Sequence, residues 1–362
     1  MVSFRLAAAR LAGRFGAIDA LRGLAIVAMV IYHLSWDFSA YGIVAIDVVN
    51  DPWWKAFAHL IAGTFLGLVG FNLVLAQKNG FRRAPYLRRL TILAGAAALV
   101  SLGTYLFSPD QFVYFGVLHE ILVASVLALP FIRAPIWLTA IASVICLVLP
   151  GLLTGPFFDA AWLVWLGLAA NPIPSVDYVP VFPWFGVVLA GVACGRLFLA
   201  YGSEERLAGW SPTVLAGQTL ALMGRWSLAL YLIHQPIMVG IIYLWTAFIG
   251  VSDSALNDRF VNQCSVNCRS TGSGTREACA SACTCMASES ARAGITVHVM
   301  SGRLTPEEEQ AWNPPADPER EPPPPEKQAV CSAPLCLRCQ QVMQWIGSWR
   351  PGQPRPFPKR PP

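Results

Sequence analysis

Apolar runs long enough to cross a bilayer recur along the chain from about residue 20 to residue 250. A spanning helix needs about 20 such residues, and inside the hydrocarbon every backbone polar group must find an internal partner. The runs are continuous rather than alternating, which favours helices over barrel strands. Only 13% of the residues are charged, against about 25% in soluble domains. We therefore predict an all-α, polytopic transmembrane helical bundle.

We predict seven spans, near residues 20–41, 54–76, 89–107, 113–132, 135–153, 181–201 and 227–249. Two other apolar stretches are short. Residues 158–169 are interpreted as an interfacial or re-entrant piece, with an eighth membrane element as the alternative, and residues 213–223 lead into the last span. The predicted organisation is a cytoplasmic N-terminal segment (1–19), a transmembrane domain (20–250), a cysteine-rich segment with helical-hairpin character (251–310) and a proline-rich, largely disordered tail (311–362).

Charges in the connections predict the orientation of the bundle. Basic residues gather in the N-terminus and in every second connection, whereas the other connections are acidic, with Lys55 as their only base. Cytoplasmic loops carry the excess of positive charge, so we predict an N-terminus inside, without a cleaved signal peptide, and a C-terminus outside. The basic residues are Arg5, Arg10, Arg14, Arg22, Lys78, Arg82, Arg83, Arg88, Arg89, Arg133, Arg196 and Arg206, and the acidic ones Asp47, Asp51, Asp110, Asp159 and Asp177.

The first span carries four ionisable residues in or beside it: Asp19, Arg22, His33 and Asp37. At about 100° per residue they fall within about 60° of arc on one helix face. Such a stripe is costly against lipid, so this face is predicted to point into the bundle. A rise of about 16 Å separates Arg22 from His33, which places the imidazole past the bilayer midplane. The alternatives are a structural salt bridge between Asp19 and Arg22 and a buried histidine satisfied by a serine or carbonyl.

A second pair of titratable residues, His119 and Glu120, lies early in the fourth span. Titratable groups at membrane depth commonly mark function, so these two are candidates to orient His33 or an acceptor. A mutually satisfied structural pair is the alternative interpretation.

The last span begins beside Arg225, which marks its cytoplasmic end, and carries Ser227, Tyr231 and His234 on one face. His234 lies two to three turns inside the span. Contact with a thioester or pantetheine arm and simple hydrogen bonding between packed helices are both compatible with this position. His59, in the second span, is interpreted as a packing residue.

A cluster of arginines occupies the second connection, where a guanidinium would bind phosphate groups in bidentate fashion. The positive charge of cytoplasmic loops alone is an equally good explanation. The cluster consists of Arg82, Arg83, Arg88 and Arg89.

Five motifs in order along residues 14–250 resemble the heparan-α-glucosaminide N-acetyltransferase catalytic-domain family, which consists mostly of bacterial membrane proteins. The motifs are IDALRG (Ile18–Gly23), YHLSWD (Tyr32–Asp37), FGVLHEI (Phe115–Ile121), FPWFG (Phe182–Gly186) and GRWSLALYLIHQP (Gly224–Pro236). The spacing from Arg22 to His33 also looks like the Arg-x10-His signature of membrane acyltransferases of the acyltransferase-3 type.

This resemblance implies transfer of an acetyl group from cytoplasmic acetyl-CoA to an amine or hydroxyl, often on a sugar, across what would be a bacterial inner membrane. His33 would be the general base, and Asp37 would hold its tautomer, as a carboxylate does in a hydrolase triad. His119 and Glu120 complete the expected catalytic set. The expected donor-binding residues are Asp19, Arg22, Arg82, Arg83, Arg88, Arg89, Arg225 and His234.

The expected partners are the lipid bilayer, acetyl-CoA and a glycan or small-molecule acceptor. No metal is expected. Nucleic acid is not expected either, since the net charge of +5 is spread over loops and tail, with no basic patch interleaved with aromatics. An oligomer is compatible with the sequence. Two rival functions are a proton-coupled transporter, because intramembrane Asp, Arg and His also mark ion pathways, and a non-catalytic membrane scaffold.

Eight of the ten cysteines follow residue 260, on the side predicted to be oxidising. Two CX3C pairs, Cys264 with Cys268 and Cys279 with Cys283, would face each other in an antiparallel helical hairpin. This favours Cys264–Cys283 and Cys268–Cys279 among three connectivities, with zinc ligation as the alternative. Cys285 follows, and Cys331, Cys336 and Cys339 form a smaller cluster. The two remaining cysteines, Cys146 and Cys194, are interpreted as buried small residues within spans.

Overall fold

The computed structural model describes most of the chain up to residue 249 and parts of the region that follows. The described residues are 15–40, 43–44, 46, 48–49, 51–173, 175–202, 212–249, 257–258, 260–262, 264–265, 268, 275–296, 298, 305 and 308. Several sequence predictions fall outside them: those for Arg5, Arg10, Arg14, Asp47 and Arg206, the proline-rich tail, and Cys331, Cys336 and Cys339.

Within the described residues the secondary structure is helical, with one isolated β-bridge between Gly155 and Ala169 and no β-strand. The α-helices are α1 (Gly16–Ala40), α2 (Pro52–Gln77), α3 (Arg83–Phe107), α4 (Val117–Leu127), α5 (Ile136–Leu153), α6 (Val181–Ala200), α7 (Leu215–Arg225), α8 (Ser227–Ile249) and α9 (Arg276–Arg292). The predicted all-α class is confirmed.

Six of these helices, α1, α2, α3, α5, α6 and α8, are long and apolar enough to cross a membrane. They coincide with six of the seven predicted spans, and the chain is therefore an integral, multi-pass membrane protein. The predicted fourth span contains α4, whose 11 residues rise only about 16 Å. The number of crossings and the orientation of the bundle stay predictions.

The two short apolar stretches take different forms. Residues 158–169 do not form a continuous helix: they hold parts of two 3₁₀ turns, Pro156–Asp159 and Val164–Leu166. The Gly155–Ala169 bridge closes this segment into a loop. The stretch 213–223 is largely α7, which ends just before α8, as predicted.

The chain divides into two compact units, one made of Met1–Leu34 with Val48–Ile241, the other of Ser35–Asp47 with Ile242–Pro362. In the first unit the most extensive packing joins α6 to α2 and to α5. Its core includes Leu66, Val188 and Leu189, all fully buried. The backbones of α2 and α6 touch, because a Cβ on Gly70 would overlap the Val188 carbonyl and one on Gly191 would overlap the Gly67 carbonyl.

The second unit contains α9 and two disulfides, Cys264–Cys283 and Cys268–Cys279. This is the connectivity predicted from the symmetrical spacing, and the prediction is confirmed. A cysteine in a disulfide has no thiolate to offer a metal, so the zinc alternative is wrong for these four. Cys285 is also disulfide-bonded. Around the disulfides Phe260, Met286 and Ala287 form a small core.

The two cysteines predicted to be buried within spans differ from each other. Cys146 on α5 is buried, as predicted, whereas Cys194 on α6 is exposed. The prediction for Cys194 was wrong because apolar sequence does not tell which face of a spanning helix packs inward. A face exposed on an isolated bundle is free to meet lipid rather than protein.

Candidate active site

A network of charged side chains joins α1 to α7 in the first unit. Arg22 Nη1 lies 3.3 Å from Asp19 Oδ1, and Arg225 Nε lies 3.3 Å from the other carboxylate oxygen, Asp19 Oδ2. The Asp19 side chain is only 7% exposed. An ion pair between Asp19 and Arg22 near the start of α1 was one interpretation of the sequence, and the structure contains it; whether it is only structural stays open. The second arginine, from more than 200 residues away, was not anticipated as its partner.

Close backbone approach makes this network possible. A Cβ on Gly23 would overlap the carbonyl oxygen of Leu220, and one on Gly224 would overlap the carbonyl oxygen of Asp19. Small residues of this kind let membrane helices approach each other closely. The glycines of IDALRG and GRWS therefore bring Asp19 within reach of Arg225.

A cavity of about 990 Å³ opens beside this network, bounded by α1, α2, α3, α4 and α8. Its charged lining consists of Asp19, Arg22, Lys78, Arg88 and Arg89. Four cations therefore face one carboxylate, which is itself engaged with arginines. The rest of the wall is mostly apolar, with a few polar groups, among them Tyr231. This arrangement suits an anionic ligand that also carries an apolar arm.

The predicted arginine cluster is divided by the fold. Arg88 and Arg89 line the cavity, whereas Arg82 and Arg83 are exposed and lie outside its lining. Arg82 occupies the N-cap position of α3, where the backbone is extended, and Arg83 begins the helix. Arg82 thus precedes the helix and Arg83 lies in its first turn, five residues before Arg88, so closeness in sequence alone does not place them in the cavity.

Asp177 reaches Tyr231 in the wall of the cavity from the connection before α6. Its Oδ2 accepts hydrogen bonds from the Val117 backbone N–H at 3.0 Å and from the Tyr231 hydroxyl at 3.2 Å. Removal from water raises the pKa of the Asp177 carboxyl, and these two hydrogen bonds oppose the rise. From the sequence, Asp177 was one of several acidic loop residues, and no motif around it signalled this contact.

The imidazoles of His33 on α1 and His234 on α8 lie against each other, with ring centroids 5.0 Å apart. His234 Nδ1 lies 2.7 Å from the Tyr231 backbone carbonyl. A carbonyl oxygen only accepts, so Nδ1 carries the proton and Nε2 carries the lone pair. Nε2 is buried and makes no hydrogen bond among the described residues. The sequence singled out both histidines, and the structure brings them together.

His119 is held within its own surroundings rather than against His33. Its Nδ1 accepts a hydrogen bond from the Gly116 backbone N–H at 3.2 Å, and its Nε2 lies 3.3 Å from Ser101 Oγ. Ser101 in turn donates to the Val113 carbonyl at 2.5 Å. Both ring nitrogens are thus occupied, which indicates that His119 fixes the start of α4.

Glu120, its neighbour, is fully buried. Both carboxylate oxygens are without a hydrogen-bond partner in the part of the chain that the structure describes. The alternative of a mutually satisfied pair with His119 is therefore wrong. The catalytic role expected for either residue stays a prediction.

The sequence also singled out Asp37 and His59. Asp37 is fully buried and belongs to the second unit, and its role toward His33 stays a prediction. His59 on α2 is exposed, with its ring 5.6 Å from that of Trp184, which agrees with the packing interpretation.

These features define a polytopic membrane protein with a cationic internal cavity and a pair of imidazoles close to its wall. The sequence profile described as "Heparan-alpha-glucosaminide N-acetyltransferase, catalytic" matches residues 14–236. The chain belongs to this family, as the five motifs predicted, and membership of an acetyltransferase family supports an enzymatic role. Comparison with curated proteins and with solved structures finds no match.

Proposed function

We propose that the protein moves an acetyl group from cytoplasmic acetyl-CoA to an amine or hydroxyl, on a sugar, that arrives from the opposite side of a bacterial inner membrane. The observation that carries the proposal is the cationic cavity with Tyr231 in its wall. Tyr231 in turn has its ring 5.8 Å from that of His234. The donor's charged end and the acetyl transfer centre would thus lie along one path.

The cavity fits the charge and size of the donor. Arg22, Lys78, Arg88 and Arg89 would face the phosphates of coenzyme A, since guanidinium groups bind phosphate oxygens in pairs. The apolar wall would take the pantetheine arm. A volume of about 990 Å³ lies at the upper end of the roughly 300–1,000 Å³ typical of cofactor and ligand sites.

His33 would act as general base. Acetyl-CoA supplies an activated thioester, whose C–S bond breaks as a C–N or C–O bond forms to the acceptor. The acceptor's proton passes to the His33 imidazole, and the leaving sulfur later takes that proton. A neutral imidazole suits this role because it carries a lone pair that can take up the acceptor's proton.

Binding of the donor can be tested by calorimetry on detergent-solubilised protein. Arg89→Ala removes a cation from the cavity and should weaken acetyl-CoA binding about tenfold or more, since a hydrogen bond to a charged group contributes about 1.5–3 kcal/mol. Arg83→Ala is the matched control on the same helix, exposed and outside the lining, and should bind normally. Equal affinity of the two variants would contradict this donor site.

Acetyl transfer itself is tested with purified protein, labelled acetyl-CoA and a panel of amino sugars. His33→Ala should lower the rate about 10²–10⁴-fold, the usual contribution of a general base. Transfer by His33→Ala at the wild-type rate would refute the mechanism. Liposomes with acetyl-CoA on one side and acceptor on the other would test the proposed sidedness, and uptake of acceptor without acetyl-CoA would favour a transporter instead.

A further inference from the structure

We infer that His234 acts through His33 as its partner in a proton relay. When His33 accepts a proton from the acceptor, it passes its other proton to Nε2 of His234. This inference rests on the proposed acetyl transfer and adds a second imidazole to it. It makes the two histidines a proton relay rather than a base and a binding residue.

The first argument is the fixed tautomer of His234. Its Nδ1–H donates to the Tyr231 carbonyl at 2.7 Å, so Nε2 is the basic atom. The same carbonyl would stabilise the imidazolium formed when Nε2 takes a proton, because its dipole points its negative end at Nδ1–H. This bond lies within α8, so a histidine that served to join helices would need Nε2 for a bond to another helix. Instead Nε2 is buried with no hydrogen-bond partner among the residues described.

The second argument is contact with His33. The rings lie 5.0 Å apart between centroids and are tilted by 59°. The χ2 torsion of histidine is broad and cheap to change, so rotation of the His33 ring can turn one of its nitrogens toward Nε2. Catalytic hydrogen bonds are commonly longer before substrate binds. His234 also adjoins Tyr231, which lines the cavity.

The relay balances in protons and charge. Both imidazoles begin neutral, His33 with one N–H and one lone pair, His234 with its proton on Nδ1. When the acceptor attacks the thioester carbon, its proton goes to the lone pair of His33, and the original N–H proton of His33 moves to His234 Nε2. The positive charge then rests on His234. The reverse transfers return one proton to the leaving sulfur and restore both rings.

Among the residues that the structure describes, tyrosines are the titratable groups in ring contact with the pair. Tyr32 on α1 has its ring 5.6 Å from that of His33, and Tyr231 on α8 touches His234. Behind Tyr231 lies Asp177, which accepts its hydroxyl hydrogen bond. A shift in the titration of His33 after a change at His234 would therefore report chiefly on the imidazole partner.

The decisive variant is His234→Asn. The asparagine amide can keep a donor near the Tyr231 carbonyl but has no group at the place of Nε2. We expect kcat for acetyl transfer to fall about 100-fold, at the lower end of acid–base contributions, with acetyl-CoA affinity within twofold of wild type. Adding His234→Asn to His33→Ala should cause little further loss, since the two residues would act as a unit. His59→Asn is the control and should be unchanged.

A second readout does not depend on turnover. ¹⁵N NMR of histidine side chains should show His234 protonated at Nδ1, and the pH midpoint of His33 should differ between wild type and His234→Asn. If His234→Asn proves unstable by thermal unfolding, His234→Gln replaces it in both measurements.

The outcomes separate the two proposals. Loss of transfer in His33→Ala but a wild-type rate in His234→Asn would overturn the relay and leave the proposed function standing. An identical His33 titration in the wild type and in His234→Asn would overturn the relay too. Absence of acetyl transfer in the wild-type protein would refute the proposed function, and with it any catalytic role for His234.

Discussion

Replacing Gly224 by alanine tests whether the contact between α1 and α7 sets the geometry of the cationic cavity. An alanine Cβ here would overlap the Asp19 carbonyl oxygen and lie 2.7 Å from the carbonyl carbon, whereas ordinary contact begins at 3.4 Å. The neighbouring atoms are backbone and cannot rotate away. For the carbon alone the shortfall is about 0.7 Å, and the oxygen is closer still, so the two helices must separate by more than this.

This displacement has two measurable consequences. The ion pair between Arg225 Nε and Asp19 Oδ2, now 3.3 Å long, is stretched to about 4 Å or more, the limit of an ion pair. Overpacking of this kind costs about 1–3 kcal/mol of unfolding free energy. Because Asp19 also holds Arg22 through its other oxygen, we expect the affinity for acetyl-CoA to fall about tenfold, which corresponds to about 1.4 kcal/mol.

Thermal unfolding and calorimetric binding of acetyl-CoA, both in detergent, measure these effects. The matched control is Gly240→Ala on α8, where a Cβ meets nothing within 4 Å. That substitution should be neutral or stabilise the helix by about 0.5–1 kcal/mol. If Gly224→Ala melted and bound acetyl-CoA like Gly240→Ala, the argument that backbone contact positions the charged network would be refuted.

Three further predictions concern other parts of the molecule. Cys264 and Cys283 are 19 residues apart in sequence, and replacing both by serine should lower the stability of the second unit by about 3 kcal/mol in chemical denaturation; an unchanged midpoint would contradict this. The Asp159 carboxylate accepts hydrogen bonds from Asn171 N and Nδ2, each at 3.0 Å, which lower the pKa of Asp159. This stabilisation is present above the unfolded carboxyl pKa of about 3.9 and is lost as the pH falls through the lower folded value. The protection factor of the Asn171 amide against hydrogen exchange should therefore fall in acid, and less so in Asp159→Asn. Tyr231→Phe removes the hydroxyl that donates to Asp177 and should cost about 1–3 kcal/mol in thermal unfolding, whereas Tyr201→Phe, at an exposed position, should cost nothing measurable.

The long helices could be predicted from the sequence because a bilayer demands a length that a continuous apolar run reveals directly. The same rule was less informative for α4. Its apolar neighbourhood spans residues 113–132, but helix begins only at Val117 and ends at Leu127, before the 3₁₀ turn Pro130–Ile132. Proline at the start of that turn cannot continue the backbone ladder of α4, and hydropathy alone does not record this.

Helical periodicity correctly grouped Asp19 with Arg22, and symmetrical spacing correctly paired the cysteines. Both signals are local. Periodicity gives the face on which a residue lies but not which other helix meets that face. For this reason the contact of His33 with His234 and the ion pair from Arg225 to Asp19 required the structure.

The direct backbone contact between α2 and α6 limits how these two helices can move. At Gly70 and Gly191 the two backbones meet directly. No layer of side chains separates the helices at these points, so no change of rotamer can let one helix slide past the other. Shear between packed helices works through such layers. We therefore expect α2 and α6 to behave as a fixed frame, and any widening that admits or releases a bulky donor to be carried by α1, α3 and α8 as they shift against it.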